Sequence, residues 1–279
     1  MNIQKELAEY IMNAPGNHLS AEDAFLPDLA GLPFFAEPLV GVARADDPLF
    51  EELRRPEAIG PWFRLPGEWL PGAKSVISLF LPYTDDIKSR EDPADPEPRP
   101  AWLNARIDGE RFVNEVAVFL RDRLREDGFA AVIPTADREE FWSVWAPGTN
   151  PEKMHDPSVG FTSTWSERHI AYVCGLGTFG LSAGLITAKG VCGRFRSLVT
   201  TAELPPTERP YHDVYEYCTH CNQCARNCPV GAIDPVTGKC HAVCGEHLNE
   251  TKARYAPRYG CGKCQVGVPC MSAIPQAHF

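Results

Sequence analysis

The sequence lacks the features that would carry the chain to or across a membrane. It contains no unbroken apolar run of membrane-spanning length, and residues 1–7 do not combine a basic start with an apolar segment. A twin-arginine export signal is missing as well. We therefore expect a cytoplasmic protein that has no membrane partner.

Positive charge is also in short supply. Lys and Arg number 27 against 37 Asp and Glu, which gives a formal net charge of −10. Such a surface repels phosphate backbones, so nucleic acid is disfavoured as a partner, although the excess acid also serves simply to keep a protein soluble. With 279 residues, of which 44% are hydrophobic, the chain is long enough to bury a core in one or two domains.

Cysteine, in contrast, is abundant, with eleven residues. The cytoplasm keeps thiols reduced, so metal binding explains them better than disulfides do. Cys218, Cys221, Cys224 and Cys228 follow the spacing Cys-x2-Cys-x2-Cys-x3-Cys-Pro, which is typical of bacterial ferredoxins. Three of these thiolates hold one [4Fe-4S] cluster, and the fourth points to another. Structural zinc, the alternative, needs only four ligands and does not explain the third cysteine at the same interval.

Five cysteines further along the chain supply the remaining ligands, and Cys261 and Cys264 form the second clear pair. The crossed pattern of two-cluster ferredoxins assigns Cys218, Cys221, Cys224 and Cys270 to the first cluster, and Cys228, Cys240, Cys261 and Cys264 to the second. One of the five is surplus, and Cys244 is the alternative to Cys240. We expect Cys174 and Cys192, which lie outside this module, to be structural.

The pattern of residues 1–210 predicts a mixed core of the α/β (α+β) class. Apolar periodicity and cap residues predict helices over 3–12, 110–127 (with Asp108 as a cap) and 166–175. Apolar runs between turn formers predict strands over 73–82, 129–133 and 194–201. Residues 85–100 carry several prolines and many charges, and are predicted to form a surface loop.

Single residues of the core give weaker signals. Gly175, Gly177 and Gly180 are candidates for close approach to a flat cofactor, with simple turn formation as the alternative. His169 and Tyr172 lie one turn apart, and we expect them to share a helix face without a catalytic role. The side chains of Arg194 and Arg196 are expected at the surface, although they could bind a carboxylate or the amide-bearing edge of a cofactor.

Three stretches, taken in their order along the chain, resemble the epoxyqueuosine reductases and their relatives, which share an architecture with corrinoid reductive dehalogenases. They are residues 70–78 (LPGAKSVIS), residues 167–180 (ERHIAYVCGLGTFG) and the cysteine module. The resemblance implies a nitroreductase-like core over residues 1–210 that holds base-off cobalamin. It also implies a two-cluster ferredoxin-like module over residues 211–279 that delivers electrons to the cobalt. FMN in the same core is the alternative cofactor.

The sequence also departs from the resembling family. Phe161 occupies the position of the catalytic aspartate of epoxyqueuosine reductases, and Asp156 is the nearest substitute. The chain ends at Phe279 without the helical-repeat extension of the tRNA-modifying members, which, together with the net charge, argues against tRNA as a substrate. We therefore expect a short paralogue rather than a true epoxyqueuosine reductase.

Two functional classes follow from this sequence. In the first, the chain is an oxidoreductase whose clusters feed a core cofactor, and through it a small-molecule substrate. In the second, it is an electron carrier or reductive activator of a redox partner protein. The 210 residues that precede the cluster module favour the enzyme, because a simple ferredoxin needs few residues beyond its cluster folds.

Overall fold

The computed structural model describes residues 2–143 and 162–276, so Asp156 and Phe161 lie outside the described residues. Its helices are α1 (Ile3–Asn13), α2 (Leu49–Glu52), α3 (Pro66–Trp69), α4 (Asp85–Arg90), α5 (Pro100–Glu126), α6 (Pro134–Asp137), α7 (Glu167–Val173), α8 (Gln223–Arg226) and α9 (His241–Tyr255). Its strands are β1 (Leu39–Arg44), β2 (Ser75–Pro82), β3 (Ala131–Val132), β4 (Gly177–Phe179), β5 (Leu185–Thr187), β6 (Gly193–Thr200), β7 (Ile233–Asp234) and β8 (Gly238–Lys239). Among these ranges no helix is both long and apolar enough to cross a bilayer.

The core is built on a four-stranded sheet in the order β1-β2-β6-β3, in which every pairing is antiparallel. All eight residues of the inner strand β2 are buried. Ile77 and Leu79 pack with α1 and α5 on one face, whereas Val76 and Phe80 pack with α7 on the other. Because helices cover both faces, β2 is buried along its whole length and does not alternate between buried and exposed residues. The expected mixture of helices and sheet is confirmed.

Helix α5 begins ten residues earlier than the sequence pattern predicts. Pro100 occupies its first position, where a missing N–H costs nothing. Asp108 is therefore not a cap: it is a buried residue inside the helix, where it accepts a hydrogen bond from Arg258 Nε at 2.7 Å. The helix ends at Glu126, just before Gly128, whose φ of 87° is the left-handed conformation typical of a helix stop.

The prediction of a surface loop over residues 85–100 is wrong in part. The segment contains α4, which Thr84 caps through its side chain, and its last residue, Pro100, opens α5. Glu91 lies between the two helices, is 4% exposed and pairs with the buried Lys263 of the cysteine module. The prolines and charges of this segment therefore shape a contact between core and module.

Candidate cluster sites and adjoining cavities

The first group of four cysteines surrounds a small cavity of about 20 Å³. It consists of Cys218, Cys221, Cys224 and Cys270, the four that the crossed pattern assigns to the first cluster. Cys218 and Cys221 lie in the loop before α8, and Cys224 lies on that helix. Cys270 arrives from the end of the chain, and its thiol interacts electrostatically with the other three. One local loop and one distant segment thus meet, as a shared cluster requires.

The second group surrounds a cavity of about 140 Å³ and consists of Cys228, Cys244, Cys261 and Cys264. Cys240, which we expected here, is exposed and does not line this cavity, whereas the alternative Cys244 does. The difference arises because Cys240 is the N-cap of α9, and one turn of helix carries the chain to Cys244. The structure thus brings Cys244, rather than the expected Cys240, to this cavity, and the ligand role of either residue stays a prediction.

Close packing shapes the loop that carries Cys261 and Cys264. Between them, Gly262 has a φ of 82°, and a Cβ at this position would lie 2.2 Å from the ring of Trp102 on α5. The next residue, Lys263, is fully buried and donates from Nζ to Glu91 and to the carbonyl oxygens of Asp92 (2.8 Å) and Glu97 (2.9 Å). The core thus holds the second cluster loop through both a steric and an ionic contact.

The donors around the second group suit a cluster of several irons. His247 lines this cavity, and its buried Nε2 has no hydrogen-bond partner among the described residues. An N–H at this position can donate to a cluster sulfur, which is a common way of tuning the reduction potential of such sites.

A zinc site needs four ligand atoms close to one ion. In the described ranges no group of three or more His, Cys, Asp or Glu is arranged to hold a single metal ion.

A cavity of about 390 Å³, here called the core cavity, adjoins the second cluster site. Its ionisable lining consists of Glu110, Glu167, Arg168, Arg194, Arg196 and Lys239, together with Cys264. Arg194 and Arg196 both pair with Glu110, and Arg196 Nη1 lies 3.7 Å from Glu167 Oε1. The expectation of surface exposure is wrong for Arg196, which is 8% exposed, because its strand β6 is an inner strand and its charged end lines this cavity. Arg194 lines the same cavity and stays partly exposed.

Glu167, the first residue of α7, is an acid of the core cavity whose pKa is raised. Its Oε2 accepts a hydrogen bond from Ser197 Oγ at 2.5 Å, and its Oε1 accepts one from Thr135 Oγ1 at 3.4 Å. Burial raises the pKa of this carboxyl to about 7, against the opposing charge of Arg196. Glu167 can therefore hold or release a proton near neutral pH. Sequence reasoning missed it because one glutamate at a helix start carries no signal of its own.

A larger cavity of about 700 Å³, here called the junction cavity, lies between the core and the cysteine module. Tyr172, Phe179 and Gly180 line it from the core, and Tyr215 and His220 line it from the module. Its described walls thus offer flat aromatic surfaces together with charged side chains of both signs, which are Glu52, Arg55, Glu57, Arg168 and Lys239.

The glycines expected near a cofactor have local roles in the chain as well, and His169 is held by a neighbouring side chain. A Cβ on Gly177 would lie 1.9 Å from the carbonyl oxygen of Ile186, so the β4–β5 hairpin requires glycine there, and Gly175 closes against Thr207. His169 lines the junction cavity, and its Nδ1 lies 2.7 Å from Ser166 Oγ. Burial, assisted by Arg168, lowers the pKa of His169 to about 4, so this imidazole is neutral at pH 7. Cofactor contact by the three glycines stays a prediction.

The core cavity and the junction cavity share the residues Ser166, Arg168 and Lys239. Arg168 and Lys239 also line the cavity of the second cysteine group, so they stand where all three spaces meet. In the part of the chain that the structure describes, neither side chain makes a hydrogen bond or an ion pair. An acceptor in either cavity would therefore lie beside these two cations and beside the second cluster.

Comparison with known protein families defines the class of protein. The model of the 4Fe-4S binding domain (Fer4) matches residues 211–234, which include the first four cysteines of the module. The chain is therefore an iron–sulfur protein with a ferredoxin-like segment towards its C-terminal end.

Individual relatives are more specific. The chain is 26% identical over 210 residues to the curated epoxyqueuosine reductase of Bacillus cereus, an alignment that covers 72% of this chain and 49% of the relative. It thus spans about half the length of that protein. A solved selenomethionine-labelled epoxyqueuosine reductase has a TM-score of 0.51 and 17% identity, and the match covers 99% of this chain and 69% of that one. A catabolic reductive dehalogenase has a TM-score of 0.49 and 15% identity, with 85% and 30% covered.

The resemblance to epoxyqueuosine reductases that the sequence predicts is thereby confirmed. The chain is thus an iron–sulfur protein that is similar to epoxyqueuosine reductases.

Proposed function

We propose that this protein is an iron–sulfur reductase that passes electrons from two [4Fe-4S] clusters to an acceptor bound where the core and the cysteine module meet. The observation that carries the proposal is the position of Cys264, which lines both the second cluster site and the core cavity. An acceptor in that cavity would lie against a cluster ligand. The shared fold alone does not assign this function, because one fold supports many activities.

The ligand sets of the two clusters follow from the two groups of four cysteines. Cys218, Cys221, Cys224 and Cys270 hold the first cluster, and Cys228, Cys244, Cys261 and Cys264 hold the second. When bound, the clusters supply single electrons at low potential. The chain contributes the shielding: Trp102 and the buried Lys263 close the second site from the side of the core.

The junction cavity is the proposed site of an organic cofactor. Tyr172, Phe179 and Tyr215 suit a planar ring, and the uncharged His169 suits a neutral amide edge. These features fit cobalamin, which brings a strongly reducing centre when it is bound. FMN is the alternative, since its ring system is also flat and its phosphate would find Arg168 and Lys239 nearby.

The core also offers a proton for the reduction. Phe161 occupies the position of the family's catalytic aspartate, so another acid is needed. Glu167 lines the core cavity beside Cys264, and its raised pKa keeps it partly protonated at neutral pH. Ser197 and Thr135 hold the carboxyl in place and accommodate its charged form after the proton has left.

Anaerobic reconstitution with iron and sulfide, followed by separate titrations with hydroxocobalamin and FMN, tests the cofactor. We expect one of the two to bind in a 1:1 complex with a shifted visible spectrum, and to be reduced when the clusters are reduced. A Tyr172→Ala variant should weaken this binding, whereas Tyr10→Ala, on the distant helix α1, should not. If neither cofactor binds, the electron-carrier alternative replaces the reductase.

A further inference from the structure

The core cavity is rich in positive charge although the chain as a whole is acidic. Its lining includes Arg168, Arg194, Arg196 and Lys239 against the carboxyls of Glu110 and Glu167. The complete chain carries a formal charge of −10. A cavity with low-dielectric walls concentrates the field of the charges that line it, so this space attracts anions even though the outer surface repels them.

The positive charges of the core cavity are only partly used within the protein. Glu110 pairs with both Arg194 and Arg196. Arg168 and Lys239 have no hydrogen-bond or ion-pair partner among the described residues, although both line the cavity. Arg168 is exposed and Lys239 is partly exposed, so both cations are accessible to an anion that enters the cavity.

A third donor of the core cavity lacks a partner. The side chain of Arg196 is 10% exposed, and its Nε is buried without a hydrogen-bond partner in the described part of the chain. Buried donors are nearly always satisfied in folded proteins. This orphan N–H is independent of the two free cations and lies in the lining of the same cavity.

We propose that the core cavity binds a small organic anion, a carboxylate or a phosphate monoester, whose charged group is held by Arg168 and Lys239 and by the free Nε of Arg196. The volume of about 390 Å³ lies in the range of small-molecule sites. This assignment rests on the proposed function: the anion is the substrate of the reductase, and the reducible group of the anion faces Cys264.

A competing role for the two cations is electrostatic. Arg168 and Lys239 also line the second cluster site, and the thiols of Cys264 and Cys244 are close enough to influence Arg168. They could therefore serve only as counter-charges of a negatively charged cluster. Removal of one of these charges distinguishes the two roles. If the cations bind an anion, the affinity for that anion falls. If they are only counter-charges, only the reduction potential of the second cluster shifts.

These two roles can be separated by nuclear magnetic resonance, because the reduced, paramagnetic clusters speed up the proton relaxation of a small probe molecule bound beside them. The reconstituted protein is reduced with dithionite, and proton relaxation is measured for butyrate, propyl phosphate and the uncharged analogue butyramide. We expect saturable relaxation of at least one anion, because its bound position lies beside a paramagnetic cluster, and no saturable relaxation of butyramide. The relative affinities of the two anions tell whether the site prefers carboxylate or phosphate.

Charge-removing variants then locate the site. Arg168→Gln and Lys239→Gln should each weaken anion binding by at least about tenfold, the loss expected for a charged hydrogen bond. Arg168→Lys keeps the charge and should retain most of the affinity. The control Lys5→Gln removes an equal charge from the exposed face of α1 and should change nothing. Iron content is measured for every variant.

Two results would overturn the proposal. One is equal relaxation of butyrate, propyl phosphate and butyramide by the unaltered protein, a comparison that no folding defect can disturb. The other is an Arg168→Gln protein that keeps full iron and anion affinity while only the potential of its second cluster shifts. Because the probes need neither turnover nor a cofactor, a failed cofactor titration and a failed anion titration remain distinguishable.

Discussion

A single cysteine distinguishes the two candidate ligand sets of the proposed second cluster. Cys244 lines the site, whereas Cys240 is exposed at the start of α9. We expect Cys240→Ala to keep both clusters after reconstitution and Cys244→Ala to lose the second, because a cluster without its fourth thiolate is not retained stably. Iron and sulfide analysis with electron paramagnetic resonance provides the measurement. A Cys240→Ala protein with half the iron would reverse the assignment.

Glu167 should titrate near neutral pH. Burial raises its pKa to about 7, whereas the two arginines that pair with Glu110 keep the pKa of that carboxyl below its ordinary value. The difference between the infrared spectrum of the protein and that of Glu167→Gln should contain a band of a protonated carboxyl group. This band should disappear as the pH rises through about 7. The same difference for Glu110→Gln, the matched control, should contain no such band. Absence of the band at pH 5 would refute the proton-donor role of Glu167.

The raised pKa of Glu167 also affects stability. Since the folded state binds this proton more tightly than the unfolded state, whose carboxyl titrates near 4.5, the free energy of unfolding should fall as the pH rises from about 4.5 to about 7. Glu167→Gln should remove this part of the slope. Urea unfolding of the reconstituted protein and the variant at pH 5 and pH 8 measures it, and equal slopes would contradict the raised pKa.

At the scale of elements, the segment between α4 and α5 holds the second cluster loop. Glu91 and Lys263 form a fully buried ion pair, and Glu91→Gln would leave the lysine buried without its counter-charge. We expect a loss of about 3–5 kcal/mol in the free energy of unfolding, measured by urea titration of the reconstituted protein.

A second pair between the core and the module supplies the control for Glu91. Glu97 also belongs to the segment before α5, but its ion pair with Arg254 is well exposed. Glu97→Gln should therefore cost less than about 1 kcal/mol. The double variant Glu91→Leu with Lys263→Met should recover much of the loss, because it leaves no buried charge. Equal losses in Glu91→Gln and Glu97→Gln would show that burial of the pair is unimportant.

The elements also explain which parts of the fold could be predicted. Strand β2 and the C-terminal half of α5 were predictable because their apolar spacing is a local property of the chain. The first turns of α5 were not, since Ala101, Trp102 and Leu103 are all buried and therefore lack the alternation of an amphipathic helix. These turns are instead stabilised by tertiary contacts with the loop of Cys261 and Cys264 on one side and with the sheet on the other.

On the scale of the whole molecule, the two candidate cluster sites adjoin different cavities. The second lines the core cavity through Cys264, whereas the first shares Gly180, Leu181 and His220 with the junction cavity. The proposed electron path to the core cavity therefore passes through the site of Cys264. In Cys264→Ala we expect iron to fall from about eight to about four atoms per chain, and reduction of an acceptor bound in the core cavity to slow, because the cluster whose ligand lines this cavity is lost. Stopped-flow spectroscopy after mixing with dithionite measures this rate.

Cys192→Ala is the matched control, since this buried thiol lies near the module but outside both groups of four cysteines. It should keep full iron and an unchanged rate. Unchanged reduction of an acceptor in the core cavity of Cys264→Ala would mean that the electrons reach this cavity by another path.

The sequence by itself determined the iron–sulfur chemistry, the four cysteines of the first motif and the inner strand of the core. Each depends on residues that are neighbours along the chain, and the geometry of one loop or one strand follows from spacing alone. The position of Cys244 at the second cavity, the burial of Arg196, and the presence of Arg168 and Lys239 around the same cavities were decided only by the tertiary structure. These features join segments far apart in sequence, whose relative positions are set by packing around the sheet and α5.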